Sequence, residues 1–295
     1  MGARRVIIIP DGSLHRLPFD ALVVSAPAAD GGPRYWLDVG PAVSYTPSAT
    51  ALERVTRREL KRRSQPSAEY EIVSLSAAGH GGGAGASRGS LGAPLRDLPW
   101  SGEEAKRIEG AFGARVPETR LAFLRGPEAT ERNARRLMGR ARYLHFATHG
   151  IVDRRINELF AALALTPSSR MAASDDDGLL QLSEIYGLSL RADLAALSAC
   201  DGGVGRAIEG EGTFALSTGF LVAGASRTVA SLWEVSDEST AALMSGLFAQ
   251  IATLPARPAS GEYSTALADA KKSIRNQTRW AAPHHWAGFF LVGAP

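Results

Sequence analysis

The stretch RYLHFATHG at residues 142–150 is followed further along the chain by LAALSACDGG at residues 194–203. Each is a short apolar run that ends in turn residues, which is typical of a buried strand in a sheet covered on both faces. In open α/β sheets the reactive crevice lies beyond the carboxyl ends of the strands. If the two strands are adjacent, His149 and Cys200 therefore meet at one edge of the sheet.

Cys200 is the only cysteine among 295 residues, so it cannot form an intrachain disulfide. Its remaining possible roles are packing as a small hydrophobic residue, metal ligation together with other residue types, or nucleophilic chemistry. A histidine neighbour favours the last role, because it can hold the thiol partly as thiolate near neutral pH. Glycines follow both residues and leave room for a substrate. We expect the backbone N–H groups of Gly150 and Cys200 to bind an oxyanion.

Strand-like and helix-like runs alternate along the rest of the chain. This alternation predicts an α/β fold with a mostly parallel sheet and helices on both faces. The predicted strands are 6–9, 71–75, a short one near residue 121, the runs that end at His149 and Cys200, and 227–232, with a hairpin-like section at 14–24 and 35–45. The predicted helices are 48–63, 103–112, 128–139, 213–223, 239–253 and 262–276.

The chain length is at the upper end of a single domain. We expect residues 1–66 to form an N-terminal part with a strand, a hairpin and a basic helix, and residues 67–295 to form the core. The glycine-rich stretch 77–94 is predicted to be a flexible loop.

Several ordered blocks resemble the CHAT domain family, whose members are caspase-like cysteine peptidases of clan CD related to separase and often fused to helical repeats. The blocks are residues 8–19, 143–150, 197–203, 209–212, 230–237 and 285–293. The resemblance extends over nearly the whole chain. It implies a caspase-like three-layer α/β/α sandwich.

Residue by residue, the family's catalytic dyad corresponds to His149 and Cys200. The resemblance implies that Cys200 attacks a peptide carbonyl and that His149 protonates the leaving amine. The block LWEVSD is similar to the separase segment that receives an arginine side chain, which makes Asp237 the first candidate for a specificity acid and Glu234 the second. Asp201 is a further substrate-binding candidate. Alternatively, Asp237 simply opens a helix with Ser236 as its N-cap.

Composition excludes several classes of protein. No apolar run is long enough to cross a membrane, and the N-terminus lacks a signal-peptide core, so we expect a cytoplasmic protein with no membrane partner. The net charge of +3 and the pI near 9.2 come largely from two arginine-rich helical stretches. No nucleic-acid module or interleaved aromatic residues accompany them, so we interpret them as solvated helix faces and do not expect direct nucleic-acid binding.

No cofactor or metal is predicted. The GEGTFA stretch at residues 210–215 lies too far from the preceding strand to be a dinucleotide turn, and the glycine tract lacks the ending of a phosphate-binding P-loop. His145 and His149 have a zinc-like spacing, but they fall on a strand without the accompanying glutamate. His145 is predicted to belong to the core.

The sequence thus favours a cysteine endopeptidase that cleaves a protein substrate, with a preference for a basic residue before the cut. The resemblance implies control by a regulatory protein or a fused sensor or repeat domain, in bacterial defence or cell death. Two alternatives stay open: a catalytically silent caspase-fold scaffold for protein interactions, and a cysteine-dependent acyl hydrolase acting on small substrates.

Overall fold

A computed structural model of the protein describes residues 5–25, 32–62, 64–77, 95, 97–153, 160–167, 176–198 and 211–295. Its strands are β1 (Arg5–Ile8), β2 (Val23–Ser25), β3 (Arg34–Tyr35), β4 (Ala42–Tyr45), β5 (Tyr70–Ser76), β6 (Leu121–Arg125), β7 (Ala141–Ala147), β8 (His149–Asp153), β9 (Phe160–Ala164), β10 (Leu179–Gln181), β11 (Leu194–Leu197), β12 (Arg227–Ser231) and β13 (Phe289–Gly293). Its α-helices are α1 (Trp36–Val39), α2 (Ala49–Arg62), α3 (Ser101–Gly113), α4 (Glu131–Met138), α5 (Leu182–Tyr186), α6 (Glu211–Ala223), α7 (Asp237–Ile251) and α8 (Glu262–Arg275).

Within the described residues, eight strands form the central sheet in the order β1-β4-β13-β12-β11-β7-β5-β6. Neighbouring strands are parallel except for β12 and β13, which are antiparallel. This confirms the predicted α/β class with a mostly parallel sheet. Strands β7 and β11 are direct neighbours, with Phe146 opposite Leu197.

Two apolar clusters cover the two faces of this sheet. Side chains of β7 alternate between them: Leu144 and Phe146 pack with α4, α5 and α6, whereas Tyr143 packs with α3, α7 and α8. This alternation follows from the period of two along a strand. The result is the expected three-layer α/β/α sandwich. Among the described residues, no helix has the length and apolar character needed to cross a bilayer.

The run at 142–150 is two strands and not one. Strand β7 ends at Ala147, and His149 starts β8, which pairs antiparallel with β9 in a separate three-stranded sheet that β10 completes. Thr148 lies between the two strands, and its hydroxyl donates to the carbonyl oxygen of Ala164. An apolar run indicates strand conformation, but it does not tell which sheet the strand joins.

The hairpin-like section is only partly as predicted. Strands β2 and β3 do pair antiparallel, but β4 leaves that pair and joins the central sheet parallel to β1 and β13. Residues 78–94, which include most of the predicted glycine-rich loop, lie outside the described residues. The domain boundary near residue 66 stays a prediction.

The arginine-rich stretches are not simply solvated helix faces. Arg58 and Arg62 on α2 donate to backbone carbonyl oxygens, with Nη1 of Arg62 at 2.7 Å from the Ala192 oxygen. Arg142 at the start of β7 pairs with Glu71 at 2.7 Å and with Asp193 at 2.9 Å. A cavity of about 260 Å³ lies among these groups. Much of the basic charge is therefore used inside the fold, which sequence periodicity cannot reveal.

A buried ion pair connects the early part of the chain to α8. Lys271 is 1% exposed and Asp20 is 5% exposed, and the ammonium group of the lysine donates to the carboxylate. Removing one partner leaves the other charge buried and unpaired. We expect Lys271→Ala to lower the free energy of unfolding by about 3–5 kcal/mol.

Urea denaturation of wild type, Lys271→Ala and Lys272→Ala measures this effect. Lys272 is the matched control, because it is adjacent in the helix and forms a partly exposed pair with Asp269. Its replacement should change the free energy of unfolding by no more than about 0.5 kcal/mol. Equal losses in the two variants would contradict the prediction.

Candidate active site

The candidate site lies at the edge where β7 and β11 end. His149, the first residue of β8, is 4% exposed, and Gly150 follows it with Leu163 of β9 opposite. Beyond β11, the backbone N–H of Ser198 donates to the carbonyl oxygen of Phe146 at 2.9 Å, which keeps the two strand ends together. Cys200 and Asp201 lie outside the described residues. The dyad and both oxyanion N–H groups therefore stay predictions.

Asp237 lies in the first turn of α7 and contacts the residue that precedes α3. Its Oδ2 accepts the backbone N–H of Trp100 at 2.9 Å. Burial raises the pKa of the Asp237 carboxyl, the hydrogen bond from Trp100 opposes that shift, the charge of Glu104 adds to it, and the charge of His149 lowers the pKa again. Asp237, Glu104 and His149 are therefore close enough to interact electrostatically.

The helix-start interpretation of Asp237 also holds. Ser236 occupies the N-cap position of α7, but its side chain makes no capping hydrogen bond. Asp237 and Glu238 lie in the first turn, where carboxylates interact favourably with the helix dipole. Glu238 pairs with Arg279 at 2.8 Å. Asp237 thus opens the helix, and its carboxylate also accepts the N–H of the residue that precedes α3.

Glu234, the second candidate acid, is exposed and lines an open groove of about 590 Å³. Trp233 and His284 form one side of the groove, with stacked rings whose centroids are 6.4 Å apart. The indole N–H of Trp233 donates to the His284 carbonyl oxygen at 2.9 Å. An aromatic wall beside an exposed carboxylate can receive the apolar stem and the charged end of a long cationic side chain.

Sequence reasoning missed the most buried acid near the site. Glu104, in the first turn of α3, is 1% exposed, and its Oε1 is 2.7 Å from Nε2 of His145. Its Oε2 accepts the hydroxyl of Ser198 at 3.0 Å. One feature of the sequence could have indicated this burial. Glu104 is four residues before the buried Ile108, so the two side chains lie on the same face of the helix.

His145 is fully buried, which confirms that it belongs to the core. Its Nδ1 lies 2.8 Å from the hydroxyl oxygen of Ser74 on β5. In the part of the chain that the structure describes, no three histidine, aspartate or glutamate side chains are grouped so that they could hold a metal ion.

A family model and individual known proteins are similar to this chain. The family model of the CHAT domain matches residues 1–294. Human Tetratricopeptide repeat protein 28 is 24% identical over 230 residues, which cover 67% of this chain and 8% of that protein.

Two solved structures share the fold. Separase of Saccharomyces cerevisiae, in its complex with securin, is 12% identical with a TM-score of 0.57, covering 98% of this chain and 16% of that one. The complex of the RgpB pro- and mature domains of Porphyromonas gingivalis is 10% identical with a TM-score of 0.50, covering 87% and 56%. The chain spans less than a fifth of the length of the human relative and of separase.

Proposed function

Because the chain belongs to the CHAT domain family, we propose that it is a caspase-like cysteine endopeptidase that cleaves a protein substrate after a basic residue. The observation that carries the proposal is the pairing of β7 with β11. The two strands are parallel neighbours, so the segments that continue to His149 and Cys200 leave the sheet at the same edge. In open α/β sheets, ligands bind beyond the carboxyl ends of the strands, so this edge is where a substrate would be expected to bind.

In the proposed mechanism, the Cys200 thiolate attacks the scissile carbonyl carbon. The backbone N–H groups of Gly150 and Cys200 stabilise the oxyanion that forms. His149 then gives its proton to the leaving amine as the C–N bond breaks, which leaves a thioester on the enzyme. A water molecule, deprotonated by His149, attacks the thioester, releases the carboxylic acid product and restores the thiol.

Asp237 is the proposed specificity acid. A half-buried carboxylate receives a guanidinium through charge-assisted hydrogen bonds, which are stronger than neutral ones. Its support is its hydrogen bond from Trp100, which immediately precedes the helix of Glu104, together with the lowering of its pKa by the charge of His149. Glu234 is the second candidate because it lines the open groove beside Trp233. Asp201 is proposed to contact substrate next to the nucleophile.

Regulation by a fused repeat domain or a separate protein is part of the proposal. The human relative is named for its tetratricopeptide repeats, and this chain corresponds to only a small fraction of it. The separase structure is a complex with another protein, securin.

We propose the cytoplasm as the compartment, because a free thiol survives in reducing surroundings. Bacterial defence or cell death is the proposed setting. We also propose that residues 1–66 form an N-terminal part and that residues 67–295 form the core.

A fluorogenic peptide library tests the function. Peptides with arginine, lysine, methionine or aspartate before the scissile bond are incubated with wild type and with Cys200→Ala, with and without candidate protein activators. Arginine-selective turnover that disappears in Cys200→Ala is the expected result. No turnover under any condition, together with a Cys200 that is inert toward a thiol-reactive probe, would favour the silent scaffold instead.

A further inference from the structure

The first turn of α3 holds together three neighbouring strands beneath the candidate site. Glu104 accepts hydrogen bonds with both carboxylate oxygens, one from His145 on β7 and one from Ser198 after β11. The other ring nitrogen of His145 contacts Ser74 on β5. A single carboxylate from one helix therefore connects to β5, β7 and β11, which lie side by side in the sheet.

Each partner of this carboxylate precedes a residue of the proposed dyad in the chain. Ser198 is followed by one alanine and then by Cys200. His145 lies on the strand that leads to His149. Trp100, immediately before α3, donates its backbone N–H to Asp237. The start of α3 thus contacts the segments that lead to both dyad residues, and it also donates a hydrogen bond to the proposed specificity acid.

The charge of Glu104 also affects the site. Burial is the main cause of the raised pKa of Asp237, and repulsion from Glu104 adds to it, whereas His149 and the Trp100 N–H lower it. Two histidines also act on this pair: His145 on β7 contacts Glu104, and the charge of His149 on β8 acts on Asp237. A change of charge at Glu104 should therefore change the protonation of Asp237.

We propose that Glu104 is a positioning residue: through Ser198 and His145 it orients the ends of the two strands that lead to the nucleophile and the general acid. The inference rests on the proposed peptidase function. A buried carboxylate is costly unless every lone pair is used, and an apolar side chain would cover the sheet at less cost. The alternative is that the network only stabilises the fold.

Two variants distinguish a positioning role of Glu104 from a purely structural one. Glu104→Gln keeps the shape and the ability to hydrogen bond but removes the charge. Ser198→Ala removes only the bond toward the strand of Cys200, and it keeps the inference testable if Glu104→Gln fails to fold. Glu103→Gln is the matched control, because Glu103 is the preceding residue, is solvent-exposed and pairs with Arg107 at 3.0 Å.

The measurement is kcat and KM against pH for arginine peptides and for peptides with an uncharged residue before the cut. We expect kcat to fall about tenfold with both peptides in each variant. Glu104→Gln replaces charge-assisted hydrogen bonds with weaker neutral ones, and Ser198→Ala removes one of them. In Glu104→Gln the acid limb for arginine peptides should also move to lower pH, because Asp237 loses a repelling neighbour. Lower thermal stability with unchanged kcat and pH profile would overturn the inference.

A second readout does not depend on peptidase activity. The rate at which iodoacetamide alkylates Cys200 is measured against pH in wild type, Glu104→Gln and Glu103→Gln. If wild type cleaves no peptide, that result counts against the proposed function, and the alkylation profile alone decides on Glu104. A profile changed at least threefold in Glu104→Gln but not in Glu103→Gln would support positioning. Identical profiles in all three proteins would reject it.

Discussion

Cys200→Ala should abolish peptide cleavage, and His149→Ala should lower kcat/KM by about 10²- to 10⁴-fold. Alanine at 200 removes the nucleophile, whereas alanine at 149 removes the group that protonates the leaving amine. The His149 side chain is almost fully buried at the start of β8, so water cannot easily replace it as a proton donor. Steady-state rates on the best library peptide measure both effects.

The double variant distinguishes a dyad from two independent contributions. Residues that act as one catalytic unit are strongly non-additive. We therefore expect Cys200→Ala with His149→Ala to be no slower than Cys200→Ala alone. Circular dichroism and the urea midpoint of each variant control for loss of structure. Retention of more than a tenth of wild-type activity in the folded His149→Ala variant would contradict the assignment of His149.

Asp237→Asn should lower kcat/KM for arginine peptides by roughly 10- to 10²-fold, because a hydrogen bond to a charged group contributes about 1.5–3 kcal/mol. Cleavage after an uncharged residue should change little. The carboxylate accepts the Trp100 N–H, and asparagine keeps an oxygen that can do the same. The readout is the ratio of kcat/KM for arginine and methionine peptides.

Glu238→Gln and Glu234→Gln complete this experiment. Glu238 is the neighbouring acid in the first turn of α7 and pairs with Arg279, so its variant should leave the ratio unchanged. Glu234→Gln tests the second candidate acid. A ratio that falls with Glu234→Gln and stays constant with Asp237→Asn would identify Glu234, and not Asp237, as the specificity acid.

The pH dependence follows from the ionisation of Asp237. The carboxylate must be ionised to bind a guanidinium, and burial raises the pKa of Asp237 above its ordinary value. As pH falls, Asp237 therefore takes up its proton earlier than an exposed aspartate does. Cleavage after arginine should be lost at a higher pH than cleavage after methionine in wild type, and this difference should disappear in Asp237→Asn.

Local signals in the sequence determined the longer helices and most strands, whereas the short helices α1 and α5 were not predicted. Ser48 before α2 illustrates this: its hydroxyl oxygen accepts the backbone N–H of Ala51 at 3.0 Å, as expected of an N-cap. The runs before His149 and Ser198 became neighbouring parallel strands. Such features depend on a few consecutive residues, so they can be read from the chain without knowledge of its distant parts.

The tertiary structure alone decided how these elements pair and which polar groups become buried. The break between β7 and β8 depends on pairing with β9, and the antiparallel contact of β12 with β13 joins segments far apart in sequence. Glu104 has the sequence context of an ordinary first-turn acid. Its burial is tolerable only because His145 on β7 and Ser198 just after β11 both donate hydrogen bonds to it. Composition and motifs thus determined the family and the candidate dyad, whereas the contacts that orient the site exist only once the sheet has assembled.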